Sequence, residues 1–173
     1  MNARNPIDLF EAICTPADDL DRVRRAAAAE GWEEFVPDGR GPIGSLLRMG
    51  RAAAADRRVR FDVLRPAGGG EELVLIIVRV EIERSWANGC RLYGTEMGAA
   101  PSQGEIVKRI GREPTRFSEE QGAPTFTWEP GWSAADDSLE LILAPPESEA
   151  AYVTGFSGWA LIGQAVSTPL RES

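Results

Sequence analysis

The chain has 173 residues, 43% hydrophobic and 27% charged, enough to bury one core without a metal or disulfide staple and unlike a disordered polypeptide. With 19 basic against 27 acidic side chains its formal charge is −8, a field that opposes phosphate backbones and anionic lipid and argues against nucleic acid as a partner. There is no histidine, so Ser-His-Asp and Cys-His catalysis and histidine-ligated zinc are excluded within this chain.

Residues 1–8 carry Arg4 but no apolar segment of the length a secretory signal requires. The sequence as it stands is therefore expected in the cytoplasm, with the periplasm as the alternative if a signal has been removed. Asn5-Pro6 followed by Ile7, Leu9, Phe10 and Ile13 predicts a short amphipathic helix with proline at its first position. Thr15, Pro16 and Asp18 then open a second helix of about fifteen residues that Gly31 closes, with Leu20, Val23 and Ala27 as a thin buried stripe.

Gly39-Arg40-Gly41-Pro42-Ile43-Gly44 matches the letters of a dinucleotide fingerprint. It lacks a convincing strand before it, and Pro42 removes an amide where the pyrophosphate would sit, so a loop is the better reading and no cofactor is assigned. Residues 42–56 read either as a helix weakened by Gly50 or as a mobile insertion.

Residues 58–64 alternate strictly and pair with residues 73–83 in a hairpin. Charge complementarity favours a register that sets Arg60 against Glu81, Arg58 against Glu83 and Asp62 against Arg79, one face being a wet lattice of ion pairs and the other a core. Leu73 to Val78 is apolar but is broken by Arg79, far too short to cross a membrane, so no membrane insertion is expected. A turn at residues 86–89 leads to a third strand near Gly89 to Thr95.

Ser102 three residues before Glu105 opens the second principal helix, and Gly111 stops it. Strands follow at residues 125–128, 139–143 and 151–156, the last extending to about Ile162. The fold class is thus α+β, a mainly antiparallel sheet with two principal helices, and the order of elements hints at a duplicated αβββ unit within one domain spanning residues 1–173.

Four features invite a functional reading. Trp128 and Trp132 flank Glu129-Pro130-Gly131, where two indoles would form a platform for a peptide or another protein unless they anchor the turn to the core; Trp32 and Trp159 read as core. Glu119-Glu120 and Asp136-Asp137 are carboxylate doublets on expected loops, but their spacing shows no converging set of oxygens and no metal is assigned. Lys108, Arg109, Arg112 and Arg116 gather at the end of the second principal helix, where cations favour the helix dipole. Cys14 and Cys90 are either independent buried thiols, the commoner state in the cytoplasm, or one long-range disulfide if the protein is exported.

Leu9-Phe10-Glu11-Ala12-Ile13-Cys14 before a helix ending at Gly31-Trp32, together with Cys90-Arg91-Leu92-Tyr93, resembles small alphaproteobacterial proteins that have no assigned activity, some of which carry a signal sequence. The resemblance covers about half of the chain. It implies export, and with it a bond between Cys14 and Cys90. The function expected from the residues is a non-enzymatic domain that binds a protein or peptide; the alternative is a small hydrolase or isomerase working with carboxylates and arginine alone.

Overall fold

The computed structural model describes residues 4–167; residues 1–3 and 168–173, part of the single-domain reading, lie outside the described residues. Its elements in chain order are helices α1 (Pro6–Cys14) and α2 (Leu20–Ala29), strand β1 (Trp32–Glu34), helix α3 (Pro42–Ala54), and strands β2 (Val59–Pro66), β3 (Leu73–Ile82) and β4 (Ser85–Gly94). A 3-10 turn at Met97–Ala99 leads into α4 (Gln103–Ile110), then β5 (Arg116–Glu120), β6 (Ala123–Trp128), β7 (Ser138–Ala144), α5 (Glu149–Thr154) and β8 (Gly158–Ser167). The α+β class expected from the sequence is the class observed.

All eight strands form one antiparallel sheet in the order β1-β2-β3-β4-β8-β7-β6-β5. Each half of the chain runs from an outer edge to the middle, and the two final strands, β4 and β8, pair at the centre. The repeated unit is therefore four strands behind a helix, not the αβββ unit expected. Two strands have no counterpart among those expected from the sequence: the three-residue β1 and the polar edge β5, neither of which carries the alternation that marks a half-buried strand.

Helices pack on both faces of the sheet. Helices α1, α2 and α4 pack through Phe10, Ile13, Leu20, Val23 and Ile106 onto one face, which carries Leu75, Ile77 and Leu92. Helix α3 and the segment after α5 pack through Ile43, Leu47 and Phe156 onto the other, over Val74, Ile76 and Ile162. This overturns the wet face expected of the first hairpin, because Leu64, Leu75 and Ile77 stand on the same side as Arg60 and Asp62 and are buried under α2.

The hairpin register is also corrected. Arg60 stands opposite Arg79 and Asp62 opposite Ile77, two residues from the register that charges favoured. A shift of two keeps every side chain on its face, so the apolar pattern cannot distinguish the alternatives. Cross-strand charges contribute only about 0.2–1 kcal/mol each and were outweighed. Arg58 takes Glu81 at 3.7 Å, while Asp62 is claimed by Arg24 of α2 at 2.5 Å.

Local chemistry places most of the helices. Asn5, Asp19, Ser102 and Ser148 each accept a backbone N–H at the start of α1, α2, α4 and α5. Helix α2 thus begins at Leu20, later than the Thr15 opening expected. Residues 151–156 were expected to be strand; Ser148 caps them into a helix that Gly155 ends in a left-handed conformation. Residues 42–54 form the helix that Gly50 was thought to weaken: a Cβ there would meet Phe61 Cζ at 3.0 Å, so glycine lets α3 lie close to the sheet. Residues 86–89 are part of β4, and the turn is Glu83-Arg84, with Glu83 at φ 52°.

Cys14 and Cys90 are joined in a disulfide with Cα atoms 5.3 Å apart, so the reading of independent thiols is not the one adopted. The bond ties the end of α1 to the middle of the central strand β4, and both residues are completely buried.

Candidate functional site

The two tryptophans of the expected platform do not share a surface. Trp128 is completely buried, and its indole Nε1 donates to the Arg112 carbonyl at 3.0 Å. Trp132 is half-buried, its ring 5.6 Å from that of Phe10. Both fasten the turn at residues 129–131 to the core beneath α1. Trp32 and Trp159 are core, as expected.

The carboxylate doublets also separate. Glu119 and Glu120 lie exposed on β5. Asp136 is buried, accepting from the Ala17 N–H at 2.7 Å, and Asp137 accepts from the Val166 N–H at 2.7 Å. Burial pushes the Asp136 carboxyl above its ordinary value, against the lowering effect of the Ala17 N–H, with Asp18 and Asp137 adding repulsion. It clamps the α1–α2 connection to the loop before β7. Among the described residues no group of three or more His, Cys, Asp or Glu side chains could hold a metal ion.

The three arginines of the basic cluster around the end of α4 are spent on structure. Arg109 reaches back to Asp8 at 2.5 Å and Glu11 at 2.7 Å on α1, and hydrogen bonds to those two carboxylates raise its pKa further. Arg112 donates to the carbonyls of Pro130 and Gly131, and Arg116 pairs with Glu129 at 3.2 Å. The glycine-rich string is a helix entry: Gly41 caps α3, and a Cβ on Gly44 would approach the Asp38 carbonyl to 2.6 Å.

The residue that sequence reasoning passed over is Arg91. It lies midway along β4 between Ile76 of β3 and Ile162 of β8, on the face covered by α3 and α5. Its Nε is buried and has no hydrogen-bond partner among the described residues. Two other arginines have an unpartnered Nε, but Arg22 donates from its terminal nitrogen to the Pro16 carbonyl, and Arg65 stands near Glu33 and over the Phe35 ring. For Arg91 no protein partner is found among the described residues, and of its three nitrogens only Nε is both buried and unpartnered. Glu140, two strands away in the ladder, and Asp137, which lines a hollow together with Arg91 and accepts from the Val166 N–H, form no ion pair with it among those residues.

Two hollows meet at this side chain. One is a cavity of about 250 Å³ roofed by Leu46 of α3 and by Ala150 and Thr154 of α5, with Tyr93, Ile142 and Ala160 in its floor. The other, about 210 Å³, lies on the uncovered part of the same face, between Val78, Val80, Ala87, Gly89 and Gln164. A Cβ on Gly89 would stand 3.6 Å from Arg91 Nε, so the guanidinium stem leans over this second hollow while also lining the first. A third cavity, about 510 Å³, opens beside Arg4, Glu72, Glu96 and Glu105. Trp159 borders it, and the indole Nε1 is buried without a partner; strand parity puts this side chain on the face opposite Arg91.

Arg91 is half-buried; its Nε is shut off from solvent without a partner, and a polar atom buried in that way carries a desolvation penalty of about 1–3 kcal/mol. Sequence pattern alone hid the residue, because one arginine in an alternating segment reads as a solvent-facing position. Only the placement of β8 and the two helices shows that its Nε is covered. No helix among the described residues is long and apolar enough to cross a membrane. No protein-family model, no curated protein and no solved structure matches this chain.

Proposed function

We propose that this chain is a non-enzymatic binding domain, and that its ligand is held by Arg91 and the cavity under α3 and α5 instead of by the tryptophan turn. The observation that carries the reading is the buried, unpartnered Arg91 Nε in the lining of an apolar cavity. That Nε lacks an acceptor, and the guanidinium presents its donors in a fixed fork. A ligand with one anionic end and an apolar body supplies both missing partners. The carboxylate with a raised pKa, Asp136, borders neither hollow that meets at Arg91; it is engaged by a backbone N–H, which favours binding over acid-base chemistry at this site.

The test is titration with 8-anilinonaphthalene-1-sulfonate, an apolar anion whose fluorescence reports desolvation. The expected result is one site per chain, weakened about tenfold or more by Arg91→Leu, in line with the loss of a charge-assisted hydrogen bond. Ala150→Leu, which fills the cavity from its helical roof, is expected to weaken it as well. Dye binding unchanged in both variants, or no saturable binding by the folded parent, overturns the proposal.

A further inference from the structure

We infer that the ligand of this site is a single, linear, medium-chain alkyl carboxylate, bound with its head at Arg91 and its tail under α3 and α5. The inference rests on the binding reading above and adds the ligand's chemistry and direction.

The direction follows from where Arg91 stands. It lines both the covered cavity and the second hollow on the same face, so its guanidinium lies where the two meet. From there the covered cavity runs along β8 from Ile162, which stands opposite Arg91, past Ala160 to Gly158. Those four steps of an extended strand span about 13 Å. A charged head therefore stays at Arg91, and the tail runs toward Gly158.

The tail's chemistry follows from the polar groups available to it. The strands beneath the cavity have their backbone groups paired in the ladder. The Thr154 hydroxyl is already occupied, donating to the Ala150 carbonyl at 2.8 Å and accepting from the Phe156 N–H at 3.1 Å. A peptide entering this space would leave amide groups without partners, and each such group carries a desolvation penalty. An alkyl chain has none to satisfy. The remaining surface, from Leu46, Ile142, Ala144 and Ala160, suits methylene groups.

Size and charge restrict the ligand further. At about 250 Å³ the cavity falls below the roughly 300–1,000 Å³ of sites for drug-sized ligands, too small for a sterol or a long acyl chain. One guanidinium matches one carboxylate, whereas a phosphate dianion would face a single cation in a chain of net charge −8. A planar carboxylate also fits the guanidinium fork in a way that a hydroxyl does not.

The experiment is calorimetric titration of the purified chain with hexanoate, decanoate, hexadecanoate, decan-1-ol and the peptide trileucine, with the sulfonate dye titrated in parallel. Decanoate is expected to bind one per chain, more tightly than hexanoate or hexadecanoate and about tenfold or more tightly than decan-1-ol. Arg91→Leu should remove the difference between decanoate and decan-1-ol, and Ala150→Leu should shift the preference toward hexanoate. Trileucine binding as tightly as decanoate, or an alcohol binding as tightly as the acid in the parent protein, overturns the alkyl-carboxylate assignment. Arg91-dependent dye binding without decanoate binding overturns this inference while leaving the binding reading intact; absence of both overturns the two together.

Discussion

Gly94 stands directly opposite Trp159 where the two central strands pair, and a Cβ on Gly94 would fall within the indole ring. The indole is buried and packs into the core shared with α1 and α4, so neither partner can move away cheaply. Gly94→Ala is expected to destabilise the fold by about 3 kcal/mol, at the upper end of overpacking substitutions. Urea denaturation checks this, and a midpoint equal to that of the parent would show that the ring adjusts freely.

The disulfide between Cys14 and Cys90 closes a long segment, with a sequence separation of 76. In the chain-entropy account such a closure stabilises the fold by about 4 kcal/mol. The double variant Cys14→Ala/Cys90→Ala is expected to lose that amount, a fall in Tm of about 10 °C for a domain of this size. Thiol titration of the unreduced parent in denaturant should find no free thiol; two free thiols per chain would refute the bond.

Asp136 makes stability depend on pH in a direction opposite to the usual carboxylate. Its pKa is raised in the folded protein above the ordinary 3.8, chiefly by burial. The folded chain therefore holds this proton more tightly than the unfolded chain. The resulting stabilisation is complete below pH 3.8 and is lost as pH rises through the elevated folded value. Asp136→Asn keeps an oxygen for the Ala17 N–H without the charge. Comparing urea midpoints of parent and variant from pH 3.8 to neutrality, the variant should gain on the parent as pH rises. A constant difference across that range would contradict the assignment. Asp136→Ala, which orphans the buried N–H, should cost about 1–3 kcal/mol at any pH.

Arg91 should behave unlike a structural arginine. Because its Nε has no partner among the described residues, Arg91→Leu removes an uncompensated burial and is expected to leave Tm unchanged or raise it, as residues kept for function commonly do. Arg24→Leu is the contrasting case: that guanidinium satisfies the nearly buried Asp62 at 2.5 Å, and its loss should destabilise by about 2 kcal/mol or more. Thermal unfolding of the two variants side by side decides the matter. A fall in Tm for Arg91→Leu as large as that for Arg24→Leu would make Arg91 a structural residue.

How much of this was legible in the residues depends on how local the deciding interaction is. Ser102 three residues before Glu105, with Gly111 following, marked α4 correctly because a cap and a left-handed stop are made within a few residues. The hairpin of β2 and β3 was found from its period of two, yet its register was missed, because that choice lay between arrangements with identical faces. Residues 151–156 misled because their apolar content fits a strand, and the Ser148 cap, the one local sign of a helix, was overlooked.

The sequence by itself determined the α+β class, the positions of the capped helices, the first hairpin and the absence of histidine-based chemistry, since each depends on composition or on neighbours along the chain. Only the tertiary structure decided that Cys14 meets Cys90, that β4 and β8 join two four-stranded halves, and that Trp128 is hidden. It alone decided that the Arg91 Nε is covered, because burial is a property of what other segments cover. No pattern around residue 91 records that β8, α3 and α5 will close over it.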